Sequence, residues 1–276
     1  MTTLPKVTIL LGPQTRLSLA LNAHLRENRQ FLRARGFIAL PSRVASPLVR
    51  RILDNRPVDE RTADFKAATE QGTAILSAIN MFGPPQAGLA KGELFPDAEL
   101  TLAGLDPVVG DARIVLALDE LPELFLAVKS EAFEERVRNT SWEVLYELSW
   151  HDLVSELVDL LPTASFLVLT GARAGEDLQR LEATLLGEQA GKLPQPYTLL
   201  RNLISETGVA VLDRMLSRGT PDQETLADLY RSFAVKASLP EQKERLGLDK
   251  VTSILLTQRF EEDLEQISTL PRVAVF

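Results

Sequence analysis

The chain has no cysteine and only two histidines, His24 and His151, among its 276 residues. Without thiols there is no disulfide framework, thiolate zinc site or cysteine nucleophile, and two imidazoles exclude a multi-histidine metal centre within one chain, so no metal is expected. Long apolar runs are missing too. Nothing approaches the roughly 20 apolar residues that a membrane span needs. The first run, Val7 to Leu11, is stopped by Gly12-Pro13 and is too short for the apolar region of a secretory signal. The expectation is a soluble, cytoplasmic protein with no membrane span.

An excess of positive charge is also lacking. Thirty Lys and Arg stand against 38 Asp and Glu, a net charge of −8, which disfavours nucleic acid as the main partner. The imbalance is uneven: residues 1–61 hold eleven basic and four acidic side chains (+7), leaving −15 for the remainder. Such a basic segment would suit a phosphate-rich ligand or form the solvated face of a helix. The partner expected is a protein or a small anionic ligand. With 45% hydrophobic and 25% charged residues and a mean hydropathy of +0.01, disordered and collagen-like classes are excluded.

What is present is an alternation of strand and helix signals. Lys6 to Leu11 is an aliphatic and β-branched run bounded by Gly12-Pro13, as a buried parallel strand requires. A helix is expected from about Thr15 to Arg35, with Leu17, Leu21, Leu25 and Leu32 at helical spacing and Gly36 as its stop. Phe37 to Leu40 reads as a second strand. The pattern returns at Ala74 to Ile79, at Arg113 to Leu118 before an acidic helix, and at Ser165 to Thr170 after a helix from Trp150 to Leu161. Such alternation implies right-handed crossovers and an α/β, doubly wound, mainly parallel sheet. From Tyr197 to Ile267 three helical stretches are expected, and Arg272 to Phe276 reads as an edge strand. The division expected is a single domain, with residues 1–196 as the α/β core and 197–276 as a mainly helical extension packed on it.

In open α/β sheets ligands sit beyond the carboxyl ends of the strands, which directs attention to Gly12-Pro-Gln-Thr-Arg-Leu-Ser18. A phosphate-binding turn needs glycines, a lysine and a helix N-terminus aimed at the anion. Here the chain resembles the bacterial sulfotransferase family, P-loop-related proteins that use 3′-phosphoadenosine 5′-phosphosulfate. In that family the first strand leads into Gly-x-His-Lys-Thr-Gly-Thr-Thr. Gly12, Leu21, Leu25, Asn28-Arg29, Leu32, Gly36 and Pro41 keep the family frame without a gap. Ile75 to Pro85, Leu148 to Val154 with Leu160-Leu-Pro162, and Phe260 to Val273 resemble its later segments. The resemblance implies a fold of the P-loop sulfotransferase type and a donor site at Gly12, Gln14, Thr15, Arg16 and Ser18, with Ser130 as the nearest hydroxyl to the 3′-phosphate position.

The departures fall on the chemistry. The family's histidine, lysine and loop glycine match Gln14, Thr15 and Leu17, leaving Ser18 as the remaining hydroxyl donor and Arg16 as a displaced cation. The lysine neutralises charge on the leaving oxygen, and loss of such a group costs about 2.7–4 kcal/mol. The arginine after the fourth strand is replaced by Asp119-Glu120, its later serine falls at Ala127, and the family's acids at the end of the third strand become Ala78 and Ile79. The expectation is a transferase fold with a degenerate active site, no confident catalytic residue and no cofactor, acting as a binding or interaction protein. An active sulfotransferase using 3′-phosphoadenosine 5′-phosphosulfate through Arg16 and Ser18 is the alternative, and a nucleotide-binding regulator a third.

Other motifs read as structural. His151-Asp152 is expected as a surface pair, and Gly187 to Lys192, which imitates a phosphate loop, as a helix stop and turn. Trp142, Tyr146 and Trp150 share one face if their helix is continuous, a core pattern.

Overall fold

The computed structural model describes residues 6–53, 73–79, 81–83, 85–102, 111–128, 130–187, 193–235 and 245–276. Asn80, Pro84 and residues 188–192 of the phosphate-loop look-alike lie outside them. Six strands form one parallel sheet: β1 (Val7–Gly12), β2 (Phe37–Leu40), β3 (Thr73–Ile79), β4 (Arg113–Leu118), β5 (Ser165–Thr170) and β6 (Val273–Val275), in the order β2-β3-β1-β4-β5-β6. The architecture is the doubly wound α/β sheet expected.

The strands are aliphatic on both faces because both are covered. Ile9 and Leu11 of β1 enter one core with Leu76, Ile114 and Leu116, whereas Leu10 enters the other with Ile75, Val115 and Leu167. The second face is covered by α1 (Arg16–Glu27) through Leu17, Leu21 and Leu25, and by α11 (Leu178–Leu186). On the first face lie α3 (Ser42–Leu53), α6 (Leu121–Ala127), α9 (Trp150–Leu160) and α15 (Lys250–Ile267). The short helices α4 (Gln86–Lys91), α5 (Ala98–Leu102), α7 (Glu131–Arg138), α8 (Trp142–Glu147) and α10 (Gly171–Glu176) fill the connections. Beyond residue 196 four described helices precede β6: α12 (Thr198–Leu203), α13 (Glu206–Leu216), α14 (Gln223–Phe233) and α15. The chain then re-enters the sheet, β6 pairing with β5 in the register Phe166↔Val273.

The helix expected from Thr15 to Arg35 is broken. It is interrupted at Asn28, which separates α1 from α2 (Arg29–Arg33). The Asn28 amide donates to the His24 carbonyl at 3.0 Å and the Gln195 carbonyl at 3.2 Å, and its oxygen accepts the Gln195 N–H at 3.0 Å. A buried side-chain amide bonding to main chain competes with the helical ladder and here ties α1 to the segment before α12. Asn28→Ala is expected to lower unfolding free energy by about 2 kcal/mol in urea titration, since buried main-chain groups lose their partners.

The helix expected from Trp150 starts there as α9, and Leu148-Ser149 separates it from α8, so Trp142 and Trp150 do not share a helix. The Ser149 hydroxyl accepts the Asp152 N–H at 3.1 Å and donates to Asp263 at 3.0 Å, starting a new helix. Trp150 is buried in the core, while Trp142 is 48% exposed.

Candidate functional site: the crevice at the ends of β1, β4 and β5

From β1 the chain crosses to the β2 side of the sheet, and from β4 to the β5 side, although β1 and β4 are neighbours. Their carboxyl ends therefore face a topological switch point, where diverging connections leave a crevice. A cavity of about 350 Å³ lies there, walled by Arg16, Asp119, Glu120, Arg173, Tyr230 and Thr257 among others. Glu123 and Glu261 also line it, so carboxylates outnumber guanidinium groups.

The α1 N-terminus opens on this crevice. Gly12 ends β1 at φ +125°, a region that L side chains avoid, and Phe82 lies 3.4 Å from where its Cβ would be. Thr15 is the N-cap: its Oγ1 accepts the Ser18 N–H at 3.1 Å, and Ser18 Oγ accepts the Thr15 N–H at 2.9 Å. This reciprocal box spends two of the amides a bound anion would need. The next two, of Arg16 and Leu17, lie near enough to the Asp119 carboxyl to favour its charged form. Two of the four amides from Thr15 to Ser18 are thus bonded within the capping box, and the other two act on the buried Asp119 carboxyl. The carboxylate takes the place at the helix end that the dipole and free N–H groups make favourable for an external anion.

Asp119 is only 9% exposed, and burial pushes its carboxyl up to about 6, against the pull of Arg16 and the two amides. The bare α-carbon of Gly171 makes room for it: a Cβ there would meet Asp119 Oδ1 at 3.0 Å. Tyr230 Oη donates to the Gly171 carbonyl at 2.9 Å, and burial together with the Asp119 charge raises the phenol well above its ordinary value. Its ring lies over Gly175, where any Cβ would fall 2.3 Å from Tyr230 Cε2. Glu120 accepts from Thr257 Oγ1 at 2.7 Å, and Trp150 Nε1 donates to the Asp119 carbonyl at 3.0 Å.

Of the residues singled out in the sequence, Arg16 lines the crevice. Gly12, Thr15 and Ser18 build the turn beneath it. The Ser18 hydroxyl bonds to the Thr15 carbonyl at 2.9 Å and the Pro13 carbonyl at 3.1 Å, and Gln14 is exposed. Leu17 is fully buried, packed where the family has its loop glycine. Ser130 is the N-cap of α7, accepting from Phe133 N–H at 3.4 Å, and does not line the crevice. Ala78 and Ile79 are buried in the sheet. His151 and Asp152 contact each other at 3.2 Å on the surface of α9. Gly187 ends α11 at φ +68°.

Arg173 and Tyr230 were not singled out. Arg173 follows the carboxyl end of β5, so its place in the chain was a signal, whereas Tyr230 sits in a helix 111 residues after Asp119 (230 − 119) with no local mark.

As built, the crevice presents two guanidinium groups, four carboxylates and a phenol locked to a carbonyl. Among the described residues no group of three or more His, Cys, Asp or Glu side chains is placed to hold a metal ion, and no helix is long and apolar enough to cross a membrane. Comparison with models of protein families, with curated proteins and with solved structures finds no match.

Proposed function

We propose that this is a sulfotransferase-like protein that has lost phosphosulfate-dependent catalysis and serves as a binding or interaction protein. The observation that carries the reading is the buried Asp119 carboxyl lining the crevice beside Arg16 and Leu17 at the start of α1. A phosphosulfate would have to displace a buried internal anion and then meet Glu120, Glu123 and Glu261 around the same crevice. The Thr15 side chain, at the family's lysine position, is buried in the capping box and supplies no charge to a leaving oxygen. No cofactor is assigned on this reading.

An active sulfotransferase with an altered loop is the rival. It draws support from Arg16 and Arg173, two cations lining one crevice. Isothermal titration with 3′-phosphoadenosine 5′-phosphate separates the two. The expected result is no heat at ligand concentrations of about 1 mM, where a weak site would begin to fill. Micromolar binding abolished by Arg16→Ala would favour the rival.

A further inference from the structure

We infer that the ridge of arginines on α1 and α2 is a docking surface for an acidic helical segment of a partner protein. Residues 16–43 hold six arginines and a single carboxylate, Glu27, in a chain whose net charge is −8. Arg26, Arg29, Arg33 and Arg35 are all exposed. Among the described residues their one ion pair is Arg26 with Glu27, at 3.7 Å, and Glu27 also accepts from Thr198 Oγ1 at 2.8 Å.

The fold does not call for this array. Arg29 and Arg33 are four residues apart on α2, a spacing at which like charges oppose helix formation. Neither α1 nor α2 has a carboxylate in its first turn, and each begins with an arginine, the wrong sign for the helix dipole, although Arg26 and Arg33 in the last turns carry the right one. Local choices that run against stability mark places where function has set the sequence. The bland reading, a solvated helix face, leaves unexplained why acidic residues so common elsewhere in the chain are missing here.

The chemistry of the ridge selects the partner. Every cation is arginine, whose planar fork matches carboxylates in pairs. The Arg35 guanidinium lies over the Phe31 ring, 3.7 Å from its centroid, which holds that fork in a fixed plane. Arg29 to Arg33 spans about 6 Å at the helical rise of α2, the separation of carboxylates at i and i+4 on a partner helix, with Arg26 before it and Arg35 after it in the chain. A nucleic acid or an anionic membrane would extend past this ridge onto a chain whose residues outside 16–43 sum to −13 (−8 − 5), and would be repelled there. The inference deepens the binding-protein reading by naming a partner class, and its test does not involve the crevice.

The test uses fluorescence anisotropy with a labelled glutamate-rich helical peptide of that spacing. In about 50 mM salt, where surface charges are weakly screened, R29E/R33E is expected to weaken binding at least about tenfold while the unfolding midpoint stays level or rises. The control R214E/R218E changes net charge equally, on exposed residues at the end of α13, and is expected to cost less than about threefold. Equal binding by R29E/R33E and the native protein, or equal losses in the two variants, would overturn the assignment. So would tighter binding of a single-stranded oligonucleotide of matched length, which would make the ridge a nucleic-acid surface.

Discussion

Asp119→Asn is expected to raise the unfolding midpoint by about 5 °C at pH 8 and to leave it nearly unchanged at pH 3.5. Burial holds the Asp119 carboxyl near 6 in the folded protein, above its unfolded value. A carboxyl that binds its proton more tightly when folded adds most to stability below its unfolded value, and that contribution is lost as pH rises through the folded one. The window is therefore roughly pH 4 to 6, and above it the ionised group costs about 3 kcal/mol relative to a neutral one. Asparagine keeps an oxygen for the amides of Arg16 and Leu17 without the charge. Differential scanning at the two pH values reads the effect. A variant no more stable than the native protein at pH 8 would mean that the amides and Arg16 compensate the buried charge in full.

Trp150→Ala is expected to cost about 4 kcal/mol, the upper range for emptying a large buried aromatic site. Trp150 is 1% exposed, its ring lies 6.2 Å from that of Phe95, and Nε1 supplies the donor for the Asp119 carbonyl. Truncation leaves a cavity in the core under the sheet and a buried carbonyl without its partner. Trp150→Phe separates the two effects, retaining most of the volume and losing the hydrogen bond, with an expected cost of about 1–2 kcal/mol in urea titration. Since that carbonyl belongs to Asp119, the Phe variant also loosens the residue that closes the anion seat. Equal costs for the two variants would remove the cavity as the cause.

The sheet was legible because buried parallel strands admit little but aliphatic and β-branched residues, and those runs end at glycine, proline or charge. Arg113 to Leu118 and Ser165 to Thr170 lie where the composition places them. The interruption at Asn28 was not legible, because it depends on a partner far along the chain, Gln195. An isolated window around Asn28 favours an uninterrupted helix, whereas the start of a helix at Trp150 was legible.

The site was legible in half. That the turn after β1 lacks a lysine and that β4 ends in two acids is visible in the chain itself. That one of those acids is buried beside that turn is not, because it follows from β1 and β4 being neighbours at the switch point. Arg173 and Tyr230 join the crevice for the same reason, brought from 54 and 111 residues beyond Asp119 (173 − 119 and 230 − 119) by the return of the chain along β5 and α14. Topology, not local pattern, assembles these groups.

The central claim, that an internal carboxylate fills the anion seat of α1, is tested most directly by a carboxyl-carbon NMR titration of aspartate-labelled protein, with Asp119→Asn assigning the resonance. The expected result is a carboxyl that titrates near 6 and does not move when about 1 mM 3′-phosphoadenosine 5′-phosphate is added. A carboxyl titrating in the ordinary range near 4, or one displaced by the ligand, would contradict it.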